Sequence, residues 1–297
     1  VTVDWGYLGE LTINGALVGL MYALAALGIV LIYKTSGVAN LAQGALIMMG
    51  GYLIAWLSTS VGLPLAAAFA ISLAILFLFG VAIERVALRR MSGQPIIMVI
   101  MLTLGLEIFL RGLIPALGGA NLQRLDLGIA PQPLIVGDIF INRAYLYGGG
   151  LSLLAIAAAA LFFNTRRGVI LRAVSDDQPA SWASGIRVER AIALSWGLAG
   201  VTALLSGAIW GSVQGVDWTL SLLLIKALAV AILGGLDSIS GALVAGLVLG
   251  MAESVIPGYL DPLAGGGTRD VVASVVILLT TIVRPYGFFG REQIERI

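Results

Sequence analysis

Apolar residues come in long runs separated by short polar stretches. Nine such segments fall at about 8–33, 40–58, 64–83, 96–116, 146–163, 191–213, 222–235, 240–257 and 271–284. A helix that crosses a bilayer needs about 20 apolar residues. Backbone groups in lipid must be satisfied within the segment, so each long run predicts a helix. The seventh run, about 14 residues, and the eighth, about 18, are short for full crossings. With glycines at 234 and 235 between them, they predict a broken pair or a hairpin that turns back at mid-membrane. The expected fold class is all-α: a polytopic transmembrane helical bundle of about eight to nine apolar segments, some broken or re-entrant. It is expected to form a single transmembrane domain over residues 1–297.

Composition agrees. Hydrophobic residues make up 59% and charged residues 11%, and mean hydropathy is +1.02. Soluble domains carry about 25% charge, so most of this surface is expected to face membrane lipid. The net charge of +1 and the lack of a large basic patch exclude a nucleic-acid partner. Cysteine and histidine are absent. Thiol chemistry, the commonest general base and the commonest metal ligand are therefore missing, and no metal site or cofactor is expected. Val1 to Glu10 holds two acids and no Lys or Arg, the wrong charge for a signal peptide. The run from Leu11 to Tyr33 is expected to stay as a first transmembrane helix.

Basic residues are unevenly shared among the loops. Lys34, Arg85, Arg89, Arg90, Arg166, Arg167, Arg172, Arg187, Arg190, Arg284, Arg291 and Arg296 fall on one side, 12 of the 17 Lys and Arg. The opposite loops hold Arg124, Arg143 and Arg269, and Arg111 and Lys226 lie inside apolar segments. The positive-inside rule puts the N-terminus outside and the C-terminus in the cytoplasm. A hairpin at segments seven and eight leaves this orientation unchanged. Trp5, Trp56, Trp210 and Trp218 lie near predicted interfaces and read as aromatic-belt anchors.

Two connections are long. The outer one, 117–145, holds Pro131, Pro133, Gly137-Asp138 and the apolar Leu134-Ile135-Val136, and is expected to fold against the membrane face. The inner one, 164–190, predicts a capped helix of two to three turns over Asp176 to Gly185. Ser175 followed by Gln178 is a capping-box pattern, with Asp176 and Asp177 in the first turn. Alternatively Asp177 is the N-cap and Pro179 lies in the first turn. Gly185 is a natural stop. Such a helix is either a connector on the headgroups or a rigid knob that docks in a separate ATPase.

Polar residues inside apolar segments are costly and are candidates for function. Glu107 and Arg111, at i and i+4, can pair along one helix face. Lys226 and Glu253 lie near segment ends, where they can snorkel to the interface. Gln43-Gly44-Ala45-Leu46 and Ser240-Gly241-Ala242-Leu243, each with glycines behind it, suggest an internal repeat of the kind that flanks transport paths. Asn40 and Asp237 precede the two copies. Gly207, Gly211 and Gly215 read as a helix-packing face.

Four motifs carry a resemblance. They are Asn40-Leu41-Ala42-Gln43-Gly44-Ala45; Arg172-Ala173, Asp176, Ala180 and Ser184-Gly185-Ile186; Leu233-Gly234-Gly235-Leu236-Asp237-Ser238-Ile239-Ser240-Gly241-Ala242; and Arg284-Pro285-Tyr286-Gly287-Phe288-Phe289-Gly290. In order and spacing they cover nearly the whole chain, which resembles the branched-chain amino acid permease family of ABC importers. The length resembles that of the smaller of the family's two permease subunits. The resemblance implies a multi-pass protein of the bacterial inner membrane that moves branched-chain or other neutral amino acids. Its implied partners are a second permease subunit, two cytoplasmic ATPase subunits and a periplasmic substrate-binding protein. Arg172, Ser175, Asp176, Asp177, Ala180 and Gly185 are the candidate ATPase-coupling residues. Asn40, Gln43, Gly44, Glu107, Arg111, Lys226, Asp237, Ser240, Gly241 and Glu253 are the candidates for the translocation path.

Related permeases also handle urea and short amides. An ion-coupled secondary transporter is a further alternative, for which Glu107 is the available buried acid. Gly28 to Thr35 approaches a P-loop, but Tyr33 replaces its second glycine within a membrane helix. The chain is therefore expected not to be an enzyme, and ATP hydrolysis is expected on separate subunits.

Overall fold

The computed structural model of the chain describes residues 5–91, 93–119, 121–130, 132–137, 139–284 and 287–290. Pro131, Asp138, Pro285, Tyr286, Arg291 and Arg296 lie outside the described residues. All nine predicted segments are helical. The bundle begins with α1 (Trp5–Ser36), α2 (Gln43–Thr59), α3 (Leu65–Val86) and α4 (Ile96–Gly118). A small hairpin, β1 (Leu134–Val136) and β2 (Ile139–Ile141), leads into α5 (Arg143–Phe163). Then follow α6 (Arg166–Asp176), α7 (Gln178–Ala183), α8 (Val188–Gln214), α9 (Leu223–Gly234), α10 (Ile239–Ala264) and α11 (Thr268–Val283). Among the described residues six helices, α1, α3, α4, α5, α8 and α10, are long and apolar enough to cross a membrane.

A helix that is apolar all round must be buried or in lipid. Helices α1 and α8 are buried on most sides and form the centre, whereas α3, α4 and α5 turn much of their apolar surface outward. Small residues bring the central helices close. Gly15 and Gly19 of α1 lie against the carbonyls of Gly250 and Gly246 of α10, which fixes the pair as antiparallel. Gly80 of α3 lies against the carbonyl of Trp196 in α8, and Gly200 against that of Leu76, again antiparallel. Helix α1 also runs antiparallel to α8: Tyr22 stacks on Trp210 at 5.2 Å, and Gln43 lies between Gly28 and Ala199 further along.

The contacts therefore repeat with direction reversed. The α1–α10 packing answers the α8–α3 packing, and α2 on α8 answers α9 on α1. This is an inverted repeat, but not in the predicted register. The sequence match paired Gln43-Gly44 of α2 with Ser240-Gly241 of α10, whereas packing pairs α2 with α9 and α3 with α10. The match followed close-packing small residues, which recur wherever helices touch.

Segment seven forms the short, unbroken α9, and the break in the chain lies just before it. A 3-10 turn over Trp218–Leu222 precedes α9, with Asp217 accepting from the Thr219 amide at 2.9 Å. It is not a hairpin. Before this turn, Val216 pairs with Gln123 in the connection that carries β1 and β2. At the far end of α9, the Asp237 carbonyl accepts from Lys34 Nζ at 2.9 Å, beside the end of α1. The segment thus joins the hairpin end of the bundle to the Lys34 end. The eighth segment is not short: α10 has 26 residues and continues through Pro257 and Pro262, where the apolar run had seemed to stop.

The outer connection is folded onto the bundle. Asn14 Nδ2 donates to the Phe140 carbonyl at 2.8 Å, and the Asn142 amide donates to Asn14 Oδ1 at 3.1 Å. Trp5, Trp56 and Trp218 are exposed, consistent with belt positions, but Trp210 is buried under Tyr22 and is no interface anchor. Gly207 and Gly211 pack closely as predicted, while Gly215 instead ends α8.

The glycine contacts make a sharp contrast testable. A leucine at Gly19 would run into the α10 backbone, which cannot yield as a side chain can. Gly19→Leu is expected to cost about 3 kcal/mol or more and to abolish the monodisperse peak in detergent. Gly105→Leu, with nothing within 4 Å of the added Cβ, should leave it intact.

Candidate functional site

Three polar loci are set into the apolar bundle. The first surrounds the start of α2. The first amides of a helix have no partner within it, and α2 has no side-chain cap of its own at Ala42. Helix α4 supplies the caps: Glu107 Oε2 accepts from the Ala45 amide at 2.6 Å, and Thr103 Oγ1 from the Leu41 amide at 3.3 Å. A carboxylate at a helix start also meets the positive end of the dipole. Asn40 Oδ1 accepts from the Ala42 amide at 2.9 Å, Asn40 Nδ2 donates to Gln43 Oε1 at 3.4 Å, and Gln43 Nε2 reaches the Ala199 carbonyl at 3.5 Å. Gly44 lies beside Ser221 of the 3-10 turn. Asn40, Gln43, Gly44 and Glu107 are thus brought together. The predicted Glu107–Arg111 ion pair is not formed among the described residues, because Glu107 turns to the amide of α2 instead.

This cap gives a direct expectation. Glu107→Ala leaves a buried amide unpaired and should cost about 1–3 kcal/mol. Glu107→Gln keeps an acceptor oxygen and should cost less. Thermal unfolding in detergent would rank them.

The second locus is a charge cluster joining α9, α10 and α11. Lys226 Nζ lies 2.8 Å from Glu253 Oε1 and 2.9 Å from Asp270 Oδ1. Arg269 Nε lies 3.2 Å from Glu253 Oε2, which also accepts from Tyr22 Oη at 3.1 Å. The Glu253 side chain is 0% exposed. Lys226 and Glu253 therefore do not snorkel separately to an interface: they are partners, and α11 closes over them with Arg269 and Asp270. In the sequence Arg269 reads as an ordinary loop charge, and no local pattern marks Asp270 or Tyr22.

The third locus is the Lys34 end. Beyond its bond to Asp237, the Lys34 ammonium lies 5.5 Å from the Phe163 ring centroid. The Thr35 carbonyl accepts from Gln178 Nε2 at 3.3 Å. Two of the sequence motifs dock on each other here: the Phe288 amide donates to the Leu233 carbonyl at 2.8 Å, and the Phe289 amide to that of Gly234 at 3.1 Å. Gly235, at φ +97°, lies so close to Gly290 that no side chain fits between. Ser238 caps α10 through the Gly241 amide at 3.0 Å, and its hydroxyl lies 3.2 Å from that of the exposed Ser240.

The connecting loop at this end is two helices, not one. Arg172, Ser175 and Asp176 belong to α6, which Thr165 caps. The capping-box reading from Ser175 fails because the chain is already helical there. Of the two predicted starts, Asp177 is the one formed: its Oδ1 accepts from the Ala180 amide at 2.9 Å, with Pro179 in the first turn. The second helix is consequently a short one, Gln178–Ala183, followed by Gly185 at φ +81°. Ala180 and Trp182 are exposed on it. Between α7 and the ends of α1, α3, α4 and α8 lies a cavity of about 540 Å³.

The fold and these loci define a polytopic helical membrane protein with an inverted repeat, buried polar groups and a capped knob at one end. The family model described as branched-chain amino acid transport system / permease component matches residues 11–283, and the chain belongs to that family. It is 31% identical to the high-affinity branched-chain amino acid transport system permease protein BraD of Pseudomonas aeruginosa, over 98% of both chains. It is 28% identical to the corresponding LivH of Escherichia coli K12, over 98% of both. A probable branched-chain amino acid transport permease protein LivH of Methanocaldococcus jannaschii is 29% identical, over 95% of this chain and 93% of that one. Among solved structures, PsaBC from Streptococcus pneumoniae in complex with Fab aligns over 95% of this chain and 94% of that one, at 18% identity and a TM-score of 0.44.

Proposed function

We propose that this chain is the membrane-spanning permease subunit of a binding-protein-dependent ABC importer for branched-chain amino acids. Family membership over nearly the whole chain supports the class. The observation that carries the mechanism is α7, held by Asp177 at its start, followed by Gly185, and tied to α1 through Gln178 and Thr35. A knob that transmits force must not fray, and capping at its start prevents that. In this reading α7 docks in an ATPase groove, with Ala180 at the contact. Arg172, Ser175 and Asp176 on α6 flank it.

The full assembly is a heterodimer with a second permease subunit, two cytoplasmic ATPases and a periplasmic binding protein, in a bacterial inner membrane. The N-terminus lies outside and the C-terminus in the cytoplasm. Support comes from the Lys34 end, where Lys34, Arg89, Arg166, Arg167 and Arg284 stand near helix ends. The path draws on Asn40, Gln43, Gly44 and Glu107 at the start of α2. Arg111, Lys226 and Glu253 are further candidates, with Asp237, Ser240 and Gly241 at the inner turn. Affinity purification of the tagged chain from its native membrane tests the assembly: an ATPase and a second permease should co-purify in stoichiometric amount. Recovery of the chain alone, under conditions that preserve a known importer, would refute it.

A further inference from the structure

We infer that the cavity between α7 and the bundle is a cytoplasm-facing binding site for a free zwitterionic amino acid with an aliphatic side chain. This rests on the permease reading and its orientation. The volume of about 540 Å³ lies within the range of about 300–1,000 Å³ typical of small-ligand sites.

The chemistry of the walls selects the ligand. Glu84 is buried at the edge of the cavity and takes Arg89 at 3.1 Å to Oε2 and 3.3 Å to Oε1. Arg89 uses Nε and Nη2 for Glu84, and its Nη1 edge makes no bond among the described residues. Glu84 keeps acceptor lone pairs, since each carboxylate oxygen has more than one. A zwitterion laid antiparallel to the pair would give its ammonium to Glu84 and its carboxylate to Arg89. A second acid, Glu189, also lines the site and disfavours a simple anion.

The remaining wall is apolar, with Ile32, Val99, Ile192 and Trp196 facing the space. Asn40 and Thr103 also line it and are buried. Gln178, Pro179 and Trp182 line the cavity from α7 itself. An occupant touches both the coupling helix and the bundle, so it favours the arrangement in which they are held together. Imported amino acid accumulating inside would thereby slow its own uptake.

The test uses the assembled importer in inside-out proteoliposomes, with liganded binding protein in the lumen and the ATPase face exposed. L-leucine added outside at millimolar concentration should lower ATP hydrolysis about twofold or more, as expected near half-saturation. Isopentylamine, without the carboxylate, and 4-methylpentanoate, without the ammonium, should not. Arg89→Ala removes one charge of the site. Val99→Phe fills its apolar part without touching the ion pair, and so guards against misfolding in the first variant. Both should keep stimulated hydrolysis and lose the leucine effect. Hydrolysis that the binding protein stimulates but leucine leaves unchanged overturns the inference and leaves the permease reading standing. So does equal inhibition by isopentylamine, or a leucine effect that survives Val99→Phe. Hydrolysis that liganded binding protein does not stimulate at all refutes the permease reading, and this inference with it.

Discussion

Replacing Glu253 by alanine should destabilise the protein by about 3–5 kcal/mol, the cost of stranding buried charge when one partner of a buried pair is removed. Glu253 is fully enclosed and holds Lys226 at 2.8 Å and Arg269 at 3.2 Å. Without it Lys226 keeps only the exposed Asp270 among the described residues, and the start of α11 is left with the Thr268–Asp261 bonds to α10. The cluster holds the start of α9 against α10 and α11, while the Phe288 and Phe289 amides hold its far end. The expected result is a large fall in thermal stability in detergent and in the amount recovered from membranes. Asp270→Asn should cost far less, because its side chain is 89% exposed and exposed pairs contribute about 0–1 kcal/mol. The double variant Lys226→Met/Glu253→Met, which removes a charge of each sign, should recover part of the loss. Equal stability of Glu253→Ala and the parent would show that the cluster does not hold the three helices together.

Replacing Ala180 by tryptophan should abolish transport while leaving the protein folded in the membrane. Ala180 faces outward on α7, so the added bulk meets only what docks there. Gly185→Val should act similarly by another route. Its φ of +81° penalises any Cβ, a branched one most, while nothing within 4 Å blocks the side chain itself. Asp177→Ala should be milder, since a lost N-cap costs about 0.5–2 kcal/mol. Uptake by the first two variants should fall at least about tenfold, corresponding to a loss of ~1.4 kcal/mol or more in ATPase docking. Unchanged uptake by both would reduce α7 to a connector.

The helices were legible because long apolar runs in lipid admit one backbone solution, and their ends lie within a few residues of those runs except at the end of α10, which continues through Pro262. The start of α7 was legible as one of two capping patterns, and only the continuation of α6 through Ser175 decides between them. The pairings were not legible. Glu107 looked committed to Arg111 by local spacing, but the uncapped start of α2 claims it from another helix. Arg269 looked like a loop charge because nothing local shows that α11 begins beside Lys226. Arg89 likewise read as one charge of a basic loop, and the cavity that it borders with Glu84 exists only once α7 folds over it.

The central claim is most directly tested by measuring uptake of radiolabelled leucine into proteoliposomes holding the complete assembly. The account predicts uptake that requires internal ATP and external liganded binding protein, and that disappears when the ATPase subunits are left out. Leucine accumulation by this chain without ATPases, driven by a proton or sodium gradient, would contradict it.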